Sequence, residues 1–148
     1  MVTFANVFEP TIVNKGTALG EVYVDVKDIL PEVIDLIHFL NEKDILIAIG
    51  SSSRNTKTIL KQIGLLNAFD TIVDGTDITH SKPHPEVFLK AAERLSVKPD
   101  DCIVVEDALA GINAARSAGM FAVAVSDALK ATNADFKAVE LSQIKALF

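Results

Sequence analysis

Apolar positions along this chain follow two alternating periods. From Pro31, Val33, Ile34, Ile37 and Leu40 recur at helical spacing, and proline suits a helix's first turn, where its missing N–H costs nothing. Ile45–Ile49 is an unbroken apolar run rich in isoleucine, the pattern of a strand buried on both faces. Asn55 to Ile63 returns to the helical period, with Ile59, Leu60 and Ile63 on one side and Gly64 ending it. Thr71–Val73 predicts a strand and Asp74-Gly75-Thr76-Asp77 a loop. A helix starting at Pro85 would bury Val87, Phe88, Ala91, Ala92 and Leu95. Pro99-Asp100-Asp101 turns the chain into a strand over Cys102–Val105. Ala108 to Ala118 predicts a helix of small residues closed by Gly119. Phe121–Val125 predicts a strand, and Ser142 to Leu147 a short last helix.

The first thirty residues carry a weaker pattern. Val2 to Phe8 predicts a strand stopped by Pro10. Residues 14–21, with Asn14, Gly16 and Gly20, predict loop, and Val22-Tyr23-Val24 is a second short strand candidate ending at Asp25. Strands alternating with helices imply an α/β fold with a parallel sheet and right-handed crossovers. No repeat, low-complexity tract or linker interrupts it, so residues 1–148 are expected to form one domain.

Composition narrows the function classes. Apolar residues make up 49% of the 148 positions, which argues against disorder. The net charge is −6 and lysines and arginines are scattered singly, so no nucleic-acid face is expected. The single cysteine, Cys102, cannot pair within the chain and fits a reducing compartment. There is no basic region leading a long apolar run at the N-terminus, and no stretch approaches the roughly 18 apolar residues of a membrane span. A soluble cytoplasmic protein is expected, without a membrane partner. The sequence leaves the oligomeric state open, a homo-oligomer included.

Three polar groups follow apolar runs. Gly50-Ser51-Ser52-Ser53-Arg54-Asn55 joins a strand to a helix whose free N–H groups favour an anion. The plainer alternative for its serines is helix N-capping. Arg54 and Asn55 shift the reading toward a phosphate, because a fork of donors beside hydroxyls suits a cluster of oxygens. Lys82 lies on a loop stiffened by Pro83 and Pro85, which can aim it inward; flanking His80 and His84 are left unassigned. Glu106-Asp107 places two acids after Val104-Val105. They repel unless a cation or lysine compensates, and hard oxygen ligands at a strand end suit Mg²⁺. Asp107 can also be read as an N-cap of the next helix. In an open α/β sheet, ligands bind beyond the carboxyl ends of the strands, where all three groups are expected.

GSSSRN, SKPHPEVF and VVEDALAGINAARSAG, in this order and spacing, resemble the haloacid-dehalogenase-like superfamily, in its β-phosphoglucomutase and sugar-phosphate phosphatase branch. The resemblance covers about residues 29–148 and implies a Rossmann-like three-layer α/β/α core. It implies that Ser51 holds the phosphoryl group being transferred and that Lys82 neutralises it. It implies further that Glu106 and Asp107 help hold Mg²⁺, and that Ser53, Arg54 and Asn55 bind a sugar phosphate's other phosphate.

The sequence departs from the family's first motif, an apolar strand ending in Asp-x-Asp-Gly whose aspartates are nucleophile and general acid/base. No Asp-x-Asp occurs here, and residues 1–28 leave no room for the family's helical cap. Two stand-ins are open. Glu9 takes the nucleophile's place with Thr11 as the acid's match, or Asp25 takes it with Lys27. The sheet favours Glu9. The family's first strand lies centrally, an empty slot would leave buried edges unpaired, and Val2–Phe8 is the longer candidate. The expected protein is therefore a capless core that binds or weakly turns over a phosphorylated sugar with Mg²⁺. A non-catalytic phosphate binder and a core completed by a partner chain are the alternatives. A receiver domain also uses acids, a hydroxyl and a Lys-Pro pair, but there the acids come first and the lysine last, the reverse of this chain.

Overall fold

The computed structural model describes residues 1–5 and 31–148. Its strands are β1 (Val2–Ala5), β2 (Ile47–Gly50), β3 (Thr71–Val73), β4 (Ile103–Glu106), β5 (Phe121–Ala124) and β6 (Phe136–Lys137). They form one sheet in the order β3-β2-β1-β4-β5-β6, and all its pairings are parallel. The helices are α1 (Pro31–Glu42), α2 (Thr56–Gln62), α3 (Glu86–Arg94) and α4 (Leu109–Ser117). This is the parallel α/β sheet expected from the alternation of periods, and the Rossmann-like architecture that the family resemblance implies.

The central slot is filled as the sheet argument requires. Val2 lies opposite Ile47 on one side and Ile103 on the other, and the ladder runs on to Ala5 opposite Glu106. The first strand therefore includes Val2–Ala5 of the expected Val2–Phe8. The rest of that segment, the loop at 14–21, the Val22–Val24 candidate, Glu9, Thr11, Asp25 and Lys27 lie outside the described residues.

Period-2 alternation divides the strands between two cores. Ile47, Ile49, Val105 and Val123 face α1, α2 and the C-terminal turn, packing with Leu36, Leu40, Leu60 and Ile144. Ala48, Val104 and Ala122 face α3 and α4, packing with Phe88 and Ile112. The second face needs small strand residues because Phe88 is fully buried against it. Burying a side chain of that class contributes about 1.5–3 kcal/mol. Among the described residues, no helix is long and apolar enough to cross a membrane.

Element ends shift for local reasons. β2 begins at Ile47 rather than Ile45, because Asp44 turns through φ 54° and the Ile45 N–H still reaches back to Leu40 O. Leu46 is accordingly exposed. β4 begins at Ile103 because the Cys102 N–H closes the preceding 3-10 turn on Pro99 O. In α1, Leu36 is sealed while Ile34 is only half-buried, a small rotation of the expected apolar face. Gly64 and Gly119, both at φ +74°, close α2 and α4 as expected. The tail is a 3-10 helix, Leu141–Leu147, held by a capping box between Glu140 and Gln143. β6 and the 3-10 turn at Ser126–Lys130 were not foreseen; two strand residues are too few to carry a period.

Candidate active site

Ser51 is the first residue beyond β2 and is buried. Its Oγ accepts the Ser53 N–H at 3.2 Å, and the Ser53 Oγ accepts the Asn55 N–H at 3.2 Å. These hydroxyls shape the loop by bonding its own backbone. Asn55, not a serine, is the N-cap residue of α2, and its side chain makes no capping bond. The end of β3 buttresses the loop: Val73 O accepts the Ser51 N–H at 3.0 Å, and Ser53 O accepts the Gly75 N–H at 2.9 Å. Buried Asp74 pins that buttress by accepting from the Thr76 N–H and hydroxyl at 2.9 and 2.6 Å. The sequence marked residues 74–77 as loop but gave no sign of this role. Arg54 and Asn55 are exposed.

Lys82 turns inward, as its proline-bounded loop allows. Only 6% of its side chain is exposed, and its Nζ donates to Glu106 Oε2 at 2.9 Å, with none of the Glu106 side chain exposed. The ammonium also lies 5.2 Å from the centre of the Phe88 ring, a favourable cation–π placement. The Lys82 N–H reaches Ser52 Oγ at 3.4 Å, so the lysine loop rests on the serine loop. The peptide between Lys82 and Pro83 is cis.

Glu106 has both oxygens engaged. Oε2 takes Lys82, and Oε1 accepts the N–H groups of Asp107 and Ala108, each at 3.0 Å. Glu106 therefore serves the backbone at the start of α4, where the sequence reading had considered Asp107 as the cap. The N-cap residue is Ala108. A Cβ on Gly111 would collide with the Glu106 carboxylate, so the glycine leaves the space this carboxylate fills. Sequence reasoning missed Gly111 and Phe88 as parts of the site, because each acts through a contact distant along the chain.

Asp107 is placed differently. Its Oδ1 is buried and has no hydrogen-bond partner among the described residues. Desolvation, then the hydrogen bond and charge of Glu106, push its carboxyl up to about 7. An orphaned carboxylate oxygen at a strand end is a misfit for a structural role but fits a hard divalent cation, which needs few protein ligands. By this test Asp107 suits Mg²⁺ directly, whereas Glu106 would have to share oxygens already held by N–H donors. The structure thus brings Ser51, Ser53, Lys82, Glu106 and Asp107 to one end of a parallel sheet, with Arg54 and Asn55 on the same serine loop.

Comparison with known proteins identifies the family. The family model described as haloacid dehalogenase-like hydrolase matches residues 4–119. The chain is 42% identical to β-phosphoglucomutase of Bacillus subtilis over 118 residues, which are 80% of this chain and 52% of that protein. It is 37% identical to fructose-1-phosphate phosphatase YqaB of Escherichia coli over 111 residues, 75% of this chain and 59% of the relative. The crystal structure of a β-phosphoglucomutase from Clostridium difficile superposes with a TM-score of 0.76 at 36% identity, covering 82% of this chain and 54% of that one. The chain spans about half the length of these relatives. From the matched model and these identities, the chain belongs to the haloacid dehalogenase-like hydrolase family.

Proposed function

We propose that this core binds a phosphorylated sugar together with Mg²⁺ and turns it over weakly. The observation that carries the reading is the buried Lys82–Glu106 pair, 2.9 Å apart and tied to the serine loop, beside an Asp107 oxygen that has no partner among the described residues. An ammonium has three N–H donors, and among the described residues Glu106 takes one, so Lys82 can still meet a phosphoryl oxygen. Ser51 holds the transferring phosphoryl group, and Ser53, Arg54 and Asn55 receive the sugar's other phosphate. Glu106 aims Lys82 through their hydrogen bond. Asp107 would hold Mg²⁺, which when bound draws charge from phosphoryl oxygens. The names of the two relatives supply the substrate class, a sugar phosphate.

Turnover should be slow. In an intact relative a carboxylate attacks the phosphate ester and an acid protonates the leaving oxygen. This sequence has no Asp-x-Asp, and Glu9 is the proposed stand-in for the nucleophile. It follows β1 in sequence, and β1 holds the central slot, which supports Glu9 over Asp25. A methylene's displacement of about 1 Å costs on the order of 10²-fold, and a missing acid typically 10²–10⁴-fold. Steady-state hydrolysis of an aryl or hexose phosphate with Mg²⁺ should fall far below about 1–10³ s⁻¹.

Thermal melts in inorganic phosphate test the binding claim. At about 100 times the dissociation constant, wild type should gain roughly 2.7 kcal/mol, and Lys82→Ala should gain almost nothing. An equal gain in both proteins would place the anion elsewhere.

A further inference from the structure

The loop that carries Lys82 brings together three groups that the phosphate site does not use. His80 and His84 are exposed, and Glu86 opens α3 behind them. Their ring centroids are 4.6 Å apart, and one ligand atom from each of the three residues lies within 4.8 Å of the other two. His80 Nδ1 is 3.1 Å from Glu86 Oε2. Donors sharing one tetrahedral ion at bonds of about 2.0–2.1 Å are about 3.3 Å apart, so that pair already has the required bite. The full set needs to contract by roughly 1.5 Å, which two exposed side chains can do.

Glu86 is a fixed anchor. Its Oε1 accepts the Thr79 N–H at 3.0 Å and pairs with Lys90 at 3.0 Å, while its Oε2 accepts the His80 N–H at 2.8 Å. These contacts hold the carboxylate in place behind the two imidazoles. His84 Nδ1 accepts the Glu86 N–H at 3.2 Å, a bond at the long end of the range. A metal taking that lone pair gives up little.

We propose that His80, His84 and Glu86 form a second, solvent-open site for a borderline divalent transition ion such as Zn²⁺ or Co²⁺, completed by water. Two imidazoles and one carboxylate select this class over Mg²⁺, which prefers oxygen ligands. The site stands apart from the phosphate reading: it shares no residue with Ser51, Lys82 or Asp107, and either can fail alone. Lys90 beside the Glu86 carboxylate tempers the affinity by repelling a cation.

The test is titration of chelator-treated protein with Co²⁺ by visible absorbance and with Zn²⁺ by calorimetry, each with and without excess Mg²⁺. Saturable binding is expected, unmoved by Mg²⁺, by Asp107→Asn or by His38→Ala, which removes the exposed third histidine on α1. His80→Ala, His84→Ala or Glu86→Gln each removes a ligand and should weaken it by at least about 10–100-fold, the cost of losing an outer-shell partner. The histidines are exposed, so those two variants should fold as wild type does. Absence of saturable binding would overturn the proposal. So would binding retained by the double variant His80→Ala/His84→Ala, or lost to Mg²⁺ or Asp107→Asn.

Discussion

The Lys82–Glu106 pair and the Arg54–Asn55 tip serve one proposed site but are built in opposite ways. Lys82 and Glu106 show 6% and 0% of their side chains to solvent, and every Glu106 oxygen has a donor. Arg54 and Asn55 are exposed, and Asn55 leaves its helix uncapped by a side chain. A buried charge must be matched by its neighbours, so the first region is part of the fold. An exposed donor is matched by water and can exchange water for a ligand at small cost to the fold. One half of the site should therefore be read through stability and the other through binding.

The largest effect should come from breaking the buried pair. Glu106→Gln leaves the Lys82 ammonium without its counter-charge, and such a loss typically costs about 3–5 kcal/mol. Urea denaturation measures it. A loss below about 1 kcal/mol would mean that the pair behaves like a surface ion pair.

A smaller effect, of opposite sign, is expected from Asp107. Its carboxyl is raised from 3.8 to about 7 in the folded protein, so between those values the native state holds more protons than the unfolded chain. Stability from this group then falls as pH rises through that window, and the loss is complete above it. Asp107→Asn removes the ionisation. Denaturation at pH 5 and pH 8 should show wild type losing ground to the variant as pH rises. Parallel profiles would show that the carboxylate is not penalised by its burial.

Arg54→Ala should change stability least, within about 0.5 kcal/mol. It should still weaken sugar bisphosphate binding in a calorimetric titration while leaving inorganic phosphate nearly unaffected. Equal weakening of both would place Arg54 at the transferring phosphoryl group.

The same contrast explains what could be read from the sequence. Elements were legible where an apolar run or period extended over five or more residues, as in Ile45–Ile49, whose strand starts two residues later, and Ala108 to Ala118. The slot of β1 followed from the family resemblance, which puts the first strand centrally, and from the cost of unpaired edges there, although its four residues show no clear period of their own. The candidate site residues were legible as types at strand ends. Their division of labour was not. That Glu106 faces Lys82 while Asp107 leaves an oxygen unpartnered depends on side-chain direction, and adjacent acids look equivalent in a sequence. Gly111 was hidden for the same reason: its lack of a side chain matters only because Glu106 occupies the space.

The central claim is that Asp107 offers its open oxygen to a divalent cation while Glu106 serves Lys82. Calorimetric titration of Mg²⁺ into wild type and Asp107→Asn at pH 8, above the Asp107 transition near 7, tests it most directly. A saturable heat in wild type that disappears in Asp107→Asn is the predicted result, and identical heats in the two proteins would contradict it.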